Sequence, residues 1–364
     1  MKAAHYRSSR AVISTLMLLA LSGCAREPQV YTQQAYVFGT LVDVAIVDQP
    51  EPRARELAKT ILADFDRLQR VLHPRREGSL ARMNSIFAQA PARASISPLL
   101  RDLVLHATEI SARSDGLFNP AIGALIRLWG FDDASATPRL PEPSAIAALV
   151  ARQPKMSDIK IDGIEFYTSN AAVQLDFGGY AKGAALDIAA QYLREQGAEN
   201  ALINIGGNII ALGKRGKRPW RIGIQDPRKP RALAVVELKD GEAIGTSGDY
   251  QRFFIHNGTR YSHIIDPRTG YPAQGTQAVT VLMPPGPRAG ALSDALSKPI
   301  FIAGPQNWSQ MAARVGVEHV LRVDASGQIE VSVAMAKRVE FDDPKPKTRV
   351  VPIVAEKVTE VARN

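Results

Sequence analysis

The sequence predicts an α+β protein, with a mixed, largely antiparallel sheet and helices packed against it. Strand-like segments follow one another through tight turns, of which Asp162-Gly163 and Asn257-Gly258 are the clearest, and helices come in groups rather than after every strand. No stretch repeats at a fixed period, so a solenoid or propeller is excluded.

Taken in order, Lys2, Arg7 and Arg10 precede an uncharged apolar run from Ala11 to Leu21, too short for a structural membrane span, and it reads as a signal peptide over residues 1–23. Residues 24–36, rich in Gln, read as a tether. A strand is expected from Val37 to Val47. Leu57, Ile61, Phe65, Leu68 and Leu72 then recur at helical spacing. A second helix opens at Ser97-Pro98, a cap residue before a proline at the first helical position, and closes near Ser114. Ala134 to Pro143 is a proline-rich surface excursion.

Hairpins are expected at Ile159 to Tyr167 and at Gln251 to Ile265. Between them come a strand ending at Asp176, a helix from about Gly179 to Gln196 closed by Gly197, and strands at Ala201–Leu212, Trp220–Gln225 and Leu233–Leu238. A strand at Thr276–Met283, helices near Ala291–Ile302 and Gln306–Val315, and a hairpin around Ser326-Gly327 complete a domain spanning residues 37–337. From Arg338 onward, six basic and five acidic residues mix with prolines, and a flexible tail over 338–364 is expected.

The formal charge is +9, and removal of the three cationic residues ahead of Cys24 leaves +6. Basic residues are scattered among acidic ones, without an arginine-rich block or interleaved aromatics, so nucleic-acid binding has little support. Cys24 is the only cysteine. No disulfide can form within one chain, and roughly 340 residues must be held together by their core.

Four segments carry chemistry. Leu175 to Gly183 brings Asp176 and the pair Gly178-Gly179 to a helix N-terminus, where bare N–H groups can donate to a phosphate and Lys182 adds a charge; the same glycines also suit a plain turn. Gly206-Gly207 interrupts the strand at Ala201–Leu212, as either a bulge or a close approach. Thr246 to Tyr250 and Ser262 to Gly270 crowd polar residues at the ends of paired strands; Pro267 and Gly270 explain a turn there, but His263 and Asp266 are more than a turn requires. Asp294, Ser297 and Lys298 share one helical face and are either hard-cation ligands or helix-start caps. As a cap, Asp294 would cost only about 0.5–2 kcal/mol on replacement by alanine.

In this order, Asp115 to Pro120, Leu128 to Phe131, Asp176 to Gly183, Ile205 to Asn208, Pro219-Trp220, Thr246 to Gly248, Ser262 to Gly270 and Asp294 to Ser297 resemble the ApbE family of FAD:protein FMN transferases, over about Val37 to Val333. Leu21-Ser22-Gly23-Cys24 resembles a lipobox, which makes Cys24 the lipidated first residue of a periplasm-facing membrane lipoprotein. The resemblance implies an ApbE-like, T-fold-like architecture and an enzyme. With Mg²⁺ at the pyrophosphate, it would cleave FAD and pass FMN to a Thr or Ser hydroxyl of a target flavoprotein, such as a subunit of a respiratory or redox complex, releasing AMP.

By the same resemblance, Phe38, His73, Leu117, Phe118 and Asn119 line the flavin or adenine site, and Asp176, Lys182 and Ile265 contact FAD further along. Gly179 through its carbonyl, Asp294 and Ser297 hold the metal, and His263 is the base for the incoming hydroxyl, with Asp294 counted beside it as catalytic. Two positions depart from the pattern: Lys298 stands where a threonine ligand is usual, and His73 where a tyrosine is common. An ammonium cannot ligate a metal. A metal-dependent FAD pyrophosphatase and a non-catalytic FAD-binding lipoprotein remain as alternatives. All three require the Asp176 turn and the Asp294 helix to meet at one pocket.

Overall fold

The computed structural model describes residues 29–132, 137–344 and 346–354, so the apolar leader and Cys24 lie outside the described residues. The chain begins as a hairpin. Strands β1 (Val30–Val37) and β2 (Thr40–Val47) pair antiparallel around Phe38-Gly39, whose φ angles of 55° and 71° give a two-residue left-handed turn. The expected single strand at Val37–Val47 is therefore two, and the tether gives way to structure at Val30. Gln, Thr and Tyr in β1 suggested a linker because an edge strand is held by its backbone ladder while its outer side chains stay in water.

In α1 (Glu51–Leu72) all five helically spaced apolar residues are buried. Helix α2 (Ser79–Phe87) and strand β3 (Ala92–Ser95) follow. Helix α3 (Pro98–Arg113) starts as expected, with the Ser97 hydroxyl accepting the Leu100 N–H at 3.4 Å. After α4 (Gly123–Leu128), α5 (Pro143–Ala151) opens at the proline that ends the surface excursion, and β4 (Lys160–Asp162) and β5 (Glu165–Thr168) form the first expected hairpin.

The strand expected to end at Asp176 is absent. The Leu175 backbone is instead clasped by buried Asn84, which donates to its carbonyl at 2.8 Å and accepts its N–H at 2.7 Å, while the Asp176 N–H donates to Pro120 O at 2.9 Å. An apolar, extended run looks the same in sequence whether a side chain or a neighbouring strand satisfies its backbone. Helix α6 (Ala181–Glu195) follows.

Gly206 and Gly207, at φ 57° and 91°, make the two-residue turn between β6 (Ala201–Ile205) and β7 (Asn208–Leu212) rather than a bulge, and Gly206 is closely approached by Thr40, whose Oγ1 would lie 2.6 Å from an added Cβ. Next come β8 (Trp220–Gln225), β9 (Ala232–Leu238) and β10 (Ala243–Gly248). The second expected hairpin, β11 (Phe253–His256) and β12 (Thr259–Ser262), turns at Asn257-Gly258. Strand β13 (Thr276–Met283) leads to α7 (Ala289–Val315), broken at Gly304 between the two helices the sequence predicts. Last are β14 (His319–Asp324), β15 (Ile329–Ser332), α8 (Val333–Ala336), β16 (Val339–Phe341) and β17 (Thr348–Val351).

The main sheet runs β1-β2-β6-β7-β10-β13-β14-β15-β17, with β15 and β17 as its parallel pair. β13 is buried end to end: Val279 and Val281 face the helical core with Phe301 and Trp308, while Ala278 and Leu282 face Trp220 and Ile222 of the small sheet β16-β9-β8. Two strands thus lie in the segment expected to be a tail. They are held by charge: Arg338 forks onto Glu242 at 2.7 and 2.9 Å, and Arg349 joins fully buried Arg322 on Glu330. Charged residues read as solvated tail because sequence alone does not reveal their partners. Among the described residues no helix is long and apolar enough to cross a membrane.

Helices α6 and α7 cross backbone to backbone. A Cβ on Gly183 would lie 2.3 Å from Gly290 O, and one on Gly290 would lie 2.5 Å from Gly183 O. This close crossing, with the Gly183 N–H donating to Asp294 Oδ2 at 3.0 Å, joins the two segments that carry the site.

Candidate functional site

A cavity of about 580 Å³ opens where the start of α6, the first half of α7, the β6–β7 turn and the segment after β12 meet. Its wall includes Phe38, Leu117, Phe118, Asn119, Asp176, Gly179, Lys182, His263, Ile265 and Asp294, so the Asp176 turn and the Asp294 helix do converge. Phe38 sits on the β1–β2 turn, and Leu117 and Phe118 supply a buried apolar face. Asn119 is committed structurally as well, donating to Pro154 O at 2.8 Å and accepting the Ala121 N–H at 3.1 Å.

Two expected residues are not in the wall. The His73 Nδ1 accepts the backbone N–H groups of Arg75 and Arg76 at 3.2 and 3.0 Å, which ties down the chain after α1. Ser297, fully buried, bonds Ser247 Oγ and Asp294 O, both at 2.7 Å. Asp266 is also accounted for by structure: Arg268 forks onto its carboxylate, at 2.7 Å to Oδ2, within the turn. Conversely, Thr40 and Arg252 line the cavity without having been singled out, and Asn208 and Tyr250, which lie in the named segments, line it without having been given a role. Asn208 Oδ1 is buried without a hydrogen-bond partner among the described residues. Tyr250 ends the polar segment from Thr246 and Arg252 follows it, and that density of polar residues was the available signal.

Asp176 Oδ1 accepts the Gly178 N–H at 2.7 Å, which fixes the turn that opens α6. Burial pushes its carboxyl above the usual range, and Asp132 adds to this. Burial would do the same to Asp294, but Lys182 and Lys298 outweigh it and hold that carboxyl low. His263 is lowered to about 3, by burial first and then by the cations Arg252, Lys182 and Lys298. Its Nδ1 lies 3.2 Å from Arg252 O, an acceptor, so Nδ1 carries the proton and Nε2 keeps a lone pair. The imidazole is therefore neutral and able to accept a proton.

Lys298 Nζ donates to Asp294 O at 2.7 Å and also to Asp294 Oδ1, while Gly183 takes Oδ2. Its stem lies over Gly179, where an added Cβ would be 3.2 Å from Lys298 Cε. A divalent ion on Asp294 would thus stand beside an ammonium. At 4 Å two unit charges repel by about 4 kcal/mol at an effective dielectric near 20, and a double charge doubles that. The Ser297 hydroxyl is engaged by Ser247 Oγ and Asp294 O, and no group of three or more His, Cys, Asp or Glu gathers to hold a metal among the described residues. These donors do not fit the Mg²⁺ that the resemblance implies.

Fold and cavity together define an α+β protein that sets the cations Arg252, Lys182 and Lys298 and a neutral imidazole on the wall of one cavity. A family model described as "ApbE family" matches residues 38–321, and the chain belongs to the ApbE family. It is 40% identical to an FAD:protein FMN transferase of Rhodobacter capsulatus over 84% of its own length and 57% of that protein's. The chain thus spans little more than half of that relative. It is 30% identical to an FAD:protein FMN transferase of Treponema pallidum over 90% and 94% of the two chains. Among solved structures, the ApbE protein of Thermotoga maritima superposes with a TM-score of 0.77 at 31% identity, covering 85% of this chain and 99% of that one.

Proposed function

We propose that this chain is an FAD:protein FMN transferase, an enzyme that joins FMN through a phosphoester bond to a Thr or Ser hydroxyl of a target flavoprotein. The observation that carries the proposal is the meeting of the Asp176 turn, Lys182, His263 and the Asp294–Lys298 pair on one cavity wall. Relatives bearing that name over most of their own length support it.

His263 Nε2 takes the proton of the acceptor hydroxyl. That oxygen bonds to the FMN-side phosphorus, the bond from that phosphorus to the bridging oxygen breaks, and AMP leaves with the bridging oxygen. Lys182 and Lys298 meet the negative charge on the phosphate oxygens, since the N–H groups of Gly178, Tyr180, Ala181 and Gly183 are already taken by protein acceptors. Phe38, Leu117, Phe118 and Ile265 give the flavin or adenine ring an apolar surface. Mg²⁺ has no part in this proposal, because Lys298 already occupies the Asp294 carboxylate.

The mature chain, FAD and a peptide from a periplasmic flavoprotein bearing the acceptor hydroxyl should yield a peptide heavier by one FMN-derived group, with equimolar AMP. Free FMN without a mass gain would replace transfer by hydrolysis.

Anchoring is part of the same proposal. The apolar run ending in the lipobox-like segment at Cys24 supports a periplasm-facing membrane lipoprotein acting on a redox-complex subunit. Cys24→Ser should abolish incorporation of labelled fatty acid and release the protein from the membrane fraction; unchanged labelling would refute lipidation at Cys24.

A further inference from the structure

We propose that Lys298 is a built-in cation of the diphosphate site, and that this chain therefore grips its dinucleotide without a divalent metal ion. The inference rests on the reading of the cavity as an FAD site and adds to it a statement about charge. An ammonium has three donors. Two are spent on Asp294 O and Oδ1, and they hold Nζ at the carboxylate, the place where a cation between protein and phosphate must sit. The remaining one belongs to a side chain that lines the cavity.

The surroundings fit a cation fixed by the chain itself. Asp294 is wholly buried and Lys298 is 17% exposed, so the pair is shielded on the protein side and open toward the cavity. Lys182, in the first turn of α6, is a second cation on the same wall and donates to Gly178 O at 3.3 Å. Gly179, with no side chain, leaves room for the Lys298 stem to cross it. The Ser297 hydroxyl is engaged by Ser247 Oγ and Asp294 O, and Ser297 itself is not in the cavity wall. A lysine placed only to neutralise a buried aspartate needs neither the opening nor the glycine beneath it.

The test measures FAD affinity of the mature protein by quenching of flavin fluorescence, in excess EDTA and in excess Mg²⁺, with no acceptor present. The wild type should bind FAD with dissociation constants that agree within about threefold in the two conditions. Lys298→Thr, which removes the ammonium and offers a hydroxyl, should bind about 10- to 100-fold more weakly in EDTA, the range of one charge-assisted hydrogen bond, and recover with Mg²⁺. Lys298→Arg, which keeps the charge, should stay metal-independent, and thermal melting establishes that each variant is folded.

FAD that binds the wild type only with Mg²⁺ would overturn the inference and leave the transferase reading standing. A Lys298→Thr protein as tight as the wild type in EDTA, or weakened equally in both conditions, would also overturn it. If FAD binds in neither condition, both fall.

Discussion

Replacing His263 by alanine is expected to lower the turnover of FMN transfer by about 10²- to 10⁴-fold, the usual contribution of a positioned base, while changing FAD affinity by only a few-fold. The split follows from geometry. Nδ1 is spent on Arg252 O, so the imidazole has one free lone pair, and the residue lines the cavity that holds the cations. Alanine removes the proton acceptor and none of the groups that meet phosphate. A loss below tenfold would move the base elsewhere.

The pH dependence separates this role from a structural one. In the free protein the cations Arg252, Lys182 and Lys298, together with burial, hold the imidazole near 3, so it stays neutral from pH 8 down to pH 5. Since kcat/KM for FAD reports the enzyme form that FAD encounters, its profile should have no acid limb near 6.5. A dianionic diphosphate bound among the same cations offsets their repulsion, the part of the lowering that comes after burial. The acid limb of kcat should therefore lie at higher pH than that of kcat/KM. A limb at 6.5 in both profiles would mean that His263 titrates as it does in water.

Local rules made much of this legible. Ser97-Pro98, Asn257-Gly258 and the periodic apolar face of α1 are decided within a few residues, and each forms where the sequence predicts it. Gly304-Pro305 divides α7 for the same reason. What misled depended on distant partners: β1 looks like a linker until β2 is beside it, and Leu175 looks like a strand until Asn84 is seen to hold it. The site shows the same division. Asp176, Lys182, His263 and Asp294 were legible because they come in ordered segments, whereas Ser297 shares the Asp294 face yet turns to Ser247 on another strand.

The second large effect falls on Asp294, and here structure reverses the expectation drawn from helix caps. Asp294→Ala leaves the Lys298 ammonium without its carboxylate and the buried Gly183 N–H without its acceptor. Breaking a buried pair by removing one partner costs about 3–5 kcal/mol, against about 1 kcal/mol for a surface cap. The lower end is expected, because Lys298 is 17% exposed and can turn toward water in the cavity. Transfer should fall by about 10²-fold or more, since the ammonium loses the anchor that aims it at phosphate. The double variant Asp294→Ala with Lys298→Met removes both charges, so it should regain most of the lost melting temperature and none of the activity. That contrast distinguishes a pair retained for function from one retained for folding. An Asp294→Ala protein that melts at the wild-type temperature would mean the ion pair holds nothing in place, and a double variant that regains transfer would mean the pair does not serve the reaction.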